Sequence, residues 1–95
     1  MTKKVKKMRY EDLNKGDYCR VYLTYGKRHT YIVGQVTGIF NGTSIITQFK
    51  ILKACGKDNI YKNCLGHHLM LFKYEIRYLE EVPEAELSLT LLGED

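Results

Sequence analysis

The chain has one proline, no tryptophan and an odd number of cysteines. It also has no apolar run near the ~18 residues of a membrane span. Each of these excludes something. The basic start, Met1-Thr2-Lys3-Lys4-Val5-Lys6-Lys7, is not followed by the apolar stretch of a secretory signal. Three cysteines, Cys19, Cys55 and Cys64, do not make the even set of a small secreted domain. Free thiols in a reducing cytosol are the simpler expectation, and no membrane partner is expected. Low-complexity stretches and repeats are absent too. A hydrophobic content of 44% with 27% charge argues against disorder. Ninety-five residues suffice for one domain with a modest core.

Charge is unevenly spread. Residues 1–73 hold 14 Lys or Arg against 4 acids, a surplus of 10. Residues 74–95 hold one base, Arg77, and 7 acids, a deficit of 6. The body attracts polyanions at a distance. The acidic end either folds back over it or faces another partner. Three segments follow: a basic arm over 1–9, a β domain over 10–83 and an acidic segment over 84–95.

Residues 1–8 read as a frayed arm. The stretch from Tyr10 to Asp17 is a turn in which Gly16 supplies positive φ and Leu13 anchors to the core. Period two begins at Tyr18: Cys19, Val21 and Leu23 share one face, and Arg20, Tyr22 and Thr24 the other. After a turn at 25–29, Thr30 to Phe40 is a second strand, bent or bulged at Gly34 and Gly38. Asn41-Gly42 is a hairpin turn, and Ser44 to Leu52 a third strand rich in β-branched and aromatic residues. Gly56 to Asn59 is another turn, and Ile60 to Cys64 reads as a short strand. From His67 to Tyr78 the alternation predicts a long strand, or two meeting at a bend. Pro83 to Leu92 fits a short helix, with Glu84 and Glu86 at its positive end. The alternation of Leu87, Leu89 and Leu91 would instead fit a terminal strand. The expected fold is mainly β: a small barrel of about five strands whose closure removes exposed edges.

The run Leu13-Asn14-Lys15-Gly16-Asp17-Tyr18-Cys19-Arg20-Val21, then Tyr31-Ile32-Val33-Gly34-Gln35-Val36, then Asn41-Gly42 and a third strand, resembles the opening of SH3-like barrels. Ile76-Arg77-Tyr78-Leu79-Glu80-Glu81-Val82-Pro83 looks like their closing strand. The resemblance implies a fold and not a function, since such barrels bind many ligands.

Four kinds of chemistry are open to these residues. Cys55, Cys64, His67 and His68 are the zinc candidates, but the cysteine spacing is wide, and adjacent histidines on a strand face opposite ways. Two buried thiols and two exposed imidazoles is the plainer alternative, so neither metal nor any cofactor is expected. A cysteine nucleophile would need an activating histidine and a third, orienting group. Cys64 and His67 are neighbours only in sequence, and Cys19 belongs to a core face. The expectation is therefore a binding module and not an enzyme. Lys6, Lys7, Arg20, Lys27, Arg28 and His29, interleaved with Tyr22 and Tyr31, form the candidate binding surface. Its cations would neutralise phosphates of DNA or RNA while the rings stack on bases; His29 contributes charge only when protonated. The alternative is a protein partner, docked as by small phage- or mobile-element-type regulators, with exposed tyrosines as hot spots. Tyrosine is also simply a good strand former.

Overall fold

The computed structural model describes residues 6–93. Six strands form one antiparallel sheet: β1 (Lys7–Met8), β2 (Tyr18–Leu23), β3 (Tyr31–Asn41), β4 (Ile45–Cys55), β5 (His68–Phe72) and β6 (Ile76–Glu81). Their order across the sheet is β1-β6-β2-β3-β4-β5. A helix, α1 (Glu84–Leu91), follows β6. The mainly β expectation and the C-terminal helix are both borne out.

Period two decides the two faces. Cys19, Val21 and Leu23 of β2 point inward, joined by Ile32 and Val36 of β3, Phe49 and Ile51 of β4, Leu71 of β5 and Leu79 of β6. Leu13 closes the cluster from the first turn. Each buried aliphatic or aromatic side chain contributes about 1.5–3 kcal/mol, so this one cluster carries the fold. The pairing of β3 with β4 shifts register at Val33/Gly34 and again at Val36/Gly38, where the glycines predict bends. A Cβ at Gly34 would stand 3.2 Å from the Cβ of Phe49, so the missing side chain lets Phe49 pack beneath β3.

The sheet does not close, which corrects the expected barrel. Its edge strands, β1 and β5, are not hydrogen-bonded to each other. β1 has only two residues, both paired with β6, so it offers β5 at most a very short ladder. Side chains bridge the gap instead. The Tyr10 hydroxyl bonds Thr47 Oγ1, and Lys73 reaches Glu11 at 3.5 Å.

Two further expectations change. Lys7 and Met8 do not fray; they pair with Glu80 and Leu79. Residues 1–5, including Lys3 and Lys4, lie outside the described residues. No strand forms at Ile60–Cys64. The segment is a run of turns that rejoins the sheet through the Ile51 amide, which donates to the His67 carbonyl, and the Gly66 amide, which donates to Ile51. Asn59 organises it from within. Its amide nitrogen donates to the carbonyls of Cys55 (2.8 Å) and Tyr31 (2.9 Å), and its oxygen accepts from the Tyr61 amide and the Tyr25 hydroxyl. The alternating stretch from His68 onward resolves into β5, a 3-10 turn at Lys73–Glu75, and β6. This turn carries the chain from one edge of the sheet to the strand beside β2. No helix among the described residues is long and apolar enough to cross a membrane.

Candidate functional site

The outer face of the sheet gathers the residues that β2, β3, β4 and β6 point away from the core. Register pairs Arg20 with Glu80, Tyr22 with both Tyr78 and Tyr31, and Val33 with Lys53. The Tyr22 ring stacks on Tyr78 at 4.2 Å and tilts against Tyr31 at 4.9 Å. Lys7 lies 5.1 Å above the Tyr78 ring.

Helix α1 lies across this face, so the described part of the acidic segment folds back over the basic body. Arg20 donates through Nη1 to Glu80 (2.8 Å) and through Nε to Glu86 of the helix (2.7 Å). Glu86 also accepts from the Tyr31 hydroxyl (2.8 Å) and pairs with Lys53 at 3.4 Å. The Tyr22 hydroxyl donates to Glu80 at 3.1 Å.

These contacts set the electrostatics. Burial pulls the Glu86 carboxyl upward, but the hydrogen bonds from Arg20 and Tyr31 and the charges of Arg20 and Lys53 outweigh it and hold it below the ordinary range. Burial works against the Arg20 charge, yet Glu80 and Glu86 push its pKa above the usual value. Burial and Glu80 raise the Tyr22 phenol to about 12. Burial, Cys55 and Glu86 raise that of Tyr31.

The proposed surface residues thus divide. Arg20, Tyr22 and Tyr31 come together but spend their polar atoms on Glu80 and Glu86, and Tyr22 is only 7% exposed. A phosphate at Arg20 would have to displace a carboxylate. Lys27, Arg28 and His29 form an exposed turn elsewhere, whose Lys27 carbonyl accepts from Arg77 at 3.1 Å. Lys6 is exposed and joins Glu81 through its backbone. Sequence reasoning missed Lys53, Tyr78, Glu80 and Glu86. Period two along 76–81 could have placed Tyr78 and Glu80 on one face; nothing local announces that Glu86 meets Arg20.

Among the described residues, no three His, Cys, Asp or Glu side chains stand close enough to hold a metal ion. Cys64 packs against the core, while Cys55 lies at the end of β4 opposite Tyr31. His68 is exposed on β5. Burial, with Asp17 nearby, raises the Cys19 thiol to about 12, which keeps it protonated and unreactive.

A second feature lies at the far end of the sheet. Phe40, Ile45, Met70, Phe72 and Tyr74 are all exposed. Register brings Phe40, Ile46 and Phe72 into one cross-strand row. The Phe72 and Tyr74 rings stack at 5.4 Å. A hollow of about 570 Å³ opens among Ser44, Ile45, Phe72, Lys73 and Tyr74. Beside it runs the free edge of β5. Bonding in an antiparallel ladder alternates along a strand. The Phe72 amide points off the sheet and is taken by Glu75 Oε1 at 2.9 Å; the same phase leaves the amide and carbonyl of Met70 facing outward.

Comparison with family models, with curated proteins and with solved structures returns no significant match for this chain.

Proposed function

We propose that this protein is a non-enzymatic protein-binding module, and that it takes up an extended acidic segment of a partner along the free edge of β5. The observation that carries the reading is the exposed patch of Phe40, Ile45, Met70, Phe72 and Tyr74 beside that edge. Strand addition draws affinity from main-chain hydrogen bonds and specificity from alternate side chains seated on the flanking surface. Exposed aromatic side chains are suited to such anchoring.

Charge argues for an acidic segment. Lys50 stands opposite His68 on the same face, next to His67. Lys50 has no salt bridge among the described residues. A partner strand with carboxylates near Lys50 and apolar residues over Phe72 would match both ends. The order β6-β2-β3-β4-β5, with a 3-10 turn before the last strand in sequence, supports reading the scaffold as an unclosed relative of SH3-like barrels. With α1 docked, Arg20, Tyr22 and Tyr31 are already satisfied within the chain, so the β5 edge is the surface open to a partner in this state.

The test is fluorescence anisotropy with a labelled decapeptide that carries Glu in one half and Val in the other, so that one face of the added strand presents both, and a peptide with Lys in place of Glu as control. The Glu/Val peptide should bind, and Phe72→Ala should weaken it at least about tenfold. Equal binding of both peptides, or indifference to Phe72→Ala, would overturn the reading.

A further inference from the structure

We propose that Arg20, Tyr31 and Lys53 form a binding site for a phosphodiester group of single-stranded nucleic acid, and that Glu86 of α1 now occupies it in the ligand's place. This goes beyond the β5 edge and does not depend on it.

The site is built from three adjacent strands. Arg20 of β2, Tyr31 of β3 and Lys53 of β4 converge on one carboxylate, at 2.7, 2.8 and 3.4 Å. Val33, fully buried, is the floor between Arg20 and Lys53. The donors are those that recognise any oxyanion. Charge selects among oxyanions. With the helix in place, Arg20 and Lys53 balance Glu80 and Glu86. Lifting the helix leaves one positive charge unmatched. A phosphodiester carries one negative charge and restores the balance, whereas a dianion would overshoot it.

The occupant is loosely held. Helix α1 has eight residues, too few to be stable alone. It meets the sheet through Glu86, Leu87 and Thr90, while Leu89, Leu91 and Leu92 face solvent. The Thr90 hydroxyl bonds the helix's own Glu86 carbonyl and so adds nothing across the contact. Of its leucines only Leu87 turns toward the sheet, so the apolar contact is small for an element of this length, and such elements open at low cost. Only Val82 and Pro83 join it to β6.

Polymeric phosphodiester is favoured over an acidic peptide by what continues the site. The rings of Tyr31, Tyr22 and Tyr78 run in a row from the cradle to Lys7, which sits over Tyr78. With α1 displaced, a chain of evenly spaced monoanions would meet a cation at each end of that row, with the rings and Glu80, already paired with Arg20, between.

A labelled oligothymidylate tests this with the full chain at about 50 and 200 mM salt. Glu86→Gln should tighten binding at least about tenfold, and adding Lys53→Met should remove the gain. Glu84→Gln makes the same charge change on the exposed side of α1 and should alter binding less than about twofold. Equal effects of Glu86→Gln and Glu84→Gln would overturn the proposal. So would a labelled polyglutamate peptide gaining as much as the oligonucleotide, which would mark a carboxylate site. Should Glu86→Gln fail to fold, hydrogen exchange on the wild type decides. Saturating oligonucleotide should speed exchange of the Leu87 and Leu92 amides, which bond Pro83 and Ser88; unchanged rates would sink it.

Discussion

Arg20 on β2 and Glu86 on α1 meet at 2.7 Å although 66 residues separate them in the chain. The guanidinium shares its remaining reach with Glu80 on the neighbouring strand. One side chain therefore fastens a strand pair and a helix together.

Glu86→Ala should detach α1 and cost about 1–2 kcal/mol, because Arg20, Tyr31 and Lys53 each lose an acceptor. Chemical denaturation with far-ultraviolet dichroism reads both the stability and the lost helix. The rest of the sheet should keep its spectrum, since the core residues lie on the opposite face.

Acid should release the helix as well. The folded state holds Glu86 below its ordinary value of 4.5. Its contribution is therefore complete above that value and falls away as pH drops through the lower folded value. The Leu87 and Thr90 amide resonances, followed down in pH, should shift before the core resonances do. Simultaneous loss of both would mean that α1 is not an independent element.

Alkali acts on the outer face through Tyr22 and Tyr31 and on the Asn59 loop through Tyr25 and Tyr61. The fold raises the phenols of Tyr22, Tyr25, Tyr31 and Tyr61 above the ordinary 10.0. A raised folded value favours the neutral form, so the stability is complete below 10.0 and declines as pH climbs through the folded values, about 12 for Tyr22. Phenolate absorbance should show a late-titrating group of tyrosines, and thermal midpoints should fall across that window.

Asn59 should prove the most sensitive position of the 56–67 loop. Asn59→Ala removes donors to two carbonyls and an acceptor for two donors, at a cost of about 2–3 kcal/mol. Asn59→Asp should be worse, since it turns a carboxylate oxygen toward the carbonyls of Cys55 and Tyr31. Equilibrium unfolding of the two variants measures the order.

Tyr74→Ala should leave stability within about 0.5 kcal/mol, because the side chain is 75% exposed. The same change should weaken the Glu/Val peptide by at least about threefold if Tyr74 supports Phe72 in anchoring it. A stability loss without a binding loss would assign the ring stack to the fold alone.

The strands were legible where their signals are local. Alternation from Tyr18, the Asn41-Gly42 turn, the bends at Gly34 and Gly38 and the stop at Pro83 each follow from a few neighbouring residues. What escaped depends on distant pieces. Ile60–Cys64 has the composition of a strand, yet Asn59 ties its start to Tyr31 and Cys55 and leaves it no neighbour to pair with. The sheet stays open because β1 and β5 do not pair, a relation between the two ends of the fold that composition does not report. At the first hairpin, alternation told which way Arg20, Tyr22 and Tyr31 point. It did not tell what would come to lie on them.

The carboxylate of Glu75 on the Phe72 amide has a bearing on how copies of this protein coexist. A bare margin of sheet invites ribbon growth, molecule upon molecule. Here one rim ends in a stub of two residues, and the other has one of its main-chain hooks already filled. The molecule can therefore offer a short landing for a single visitor while discouraging its own kind from queueing behind it.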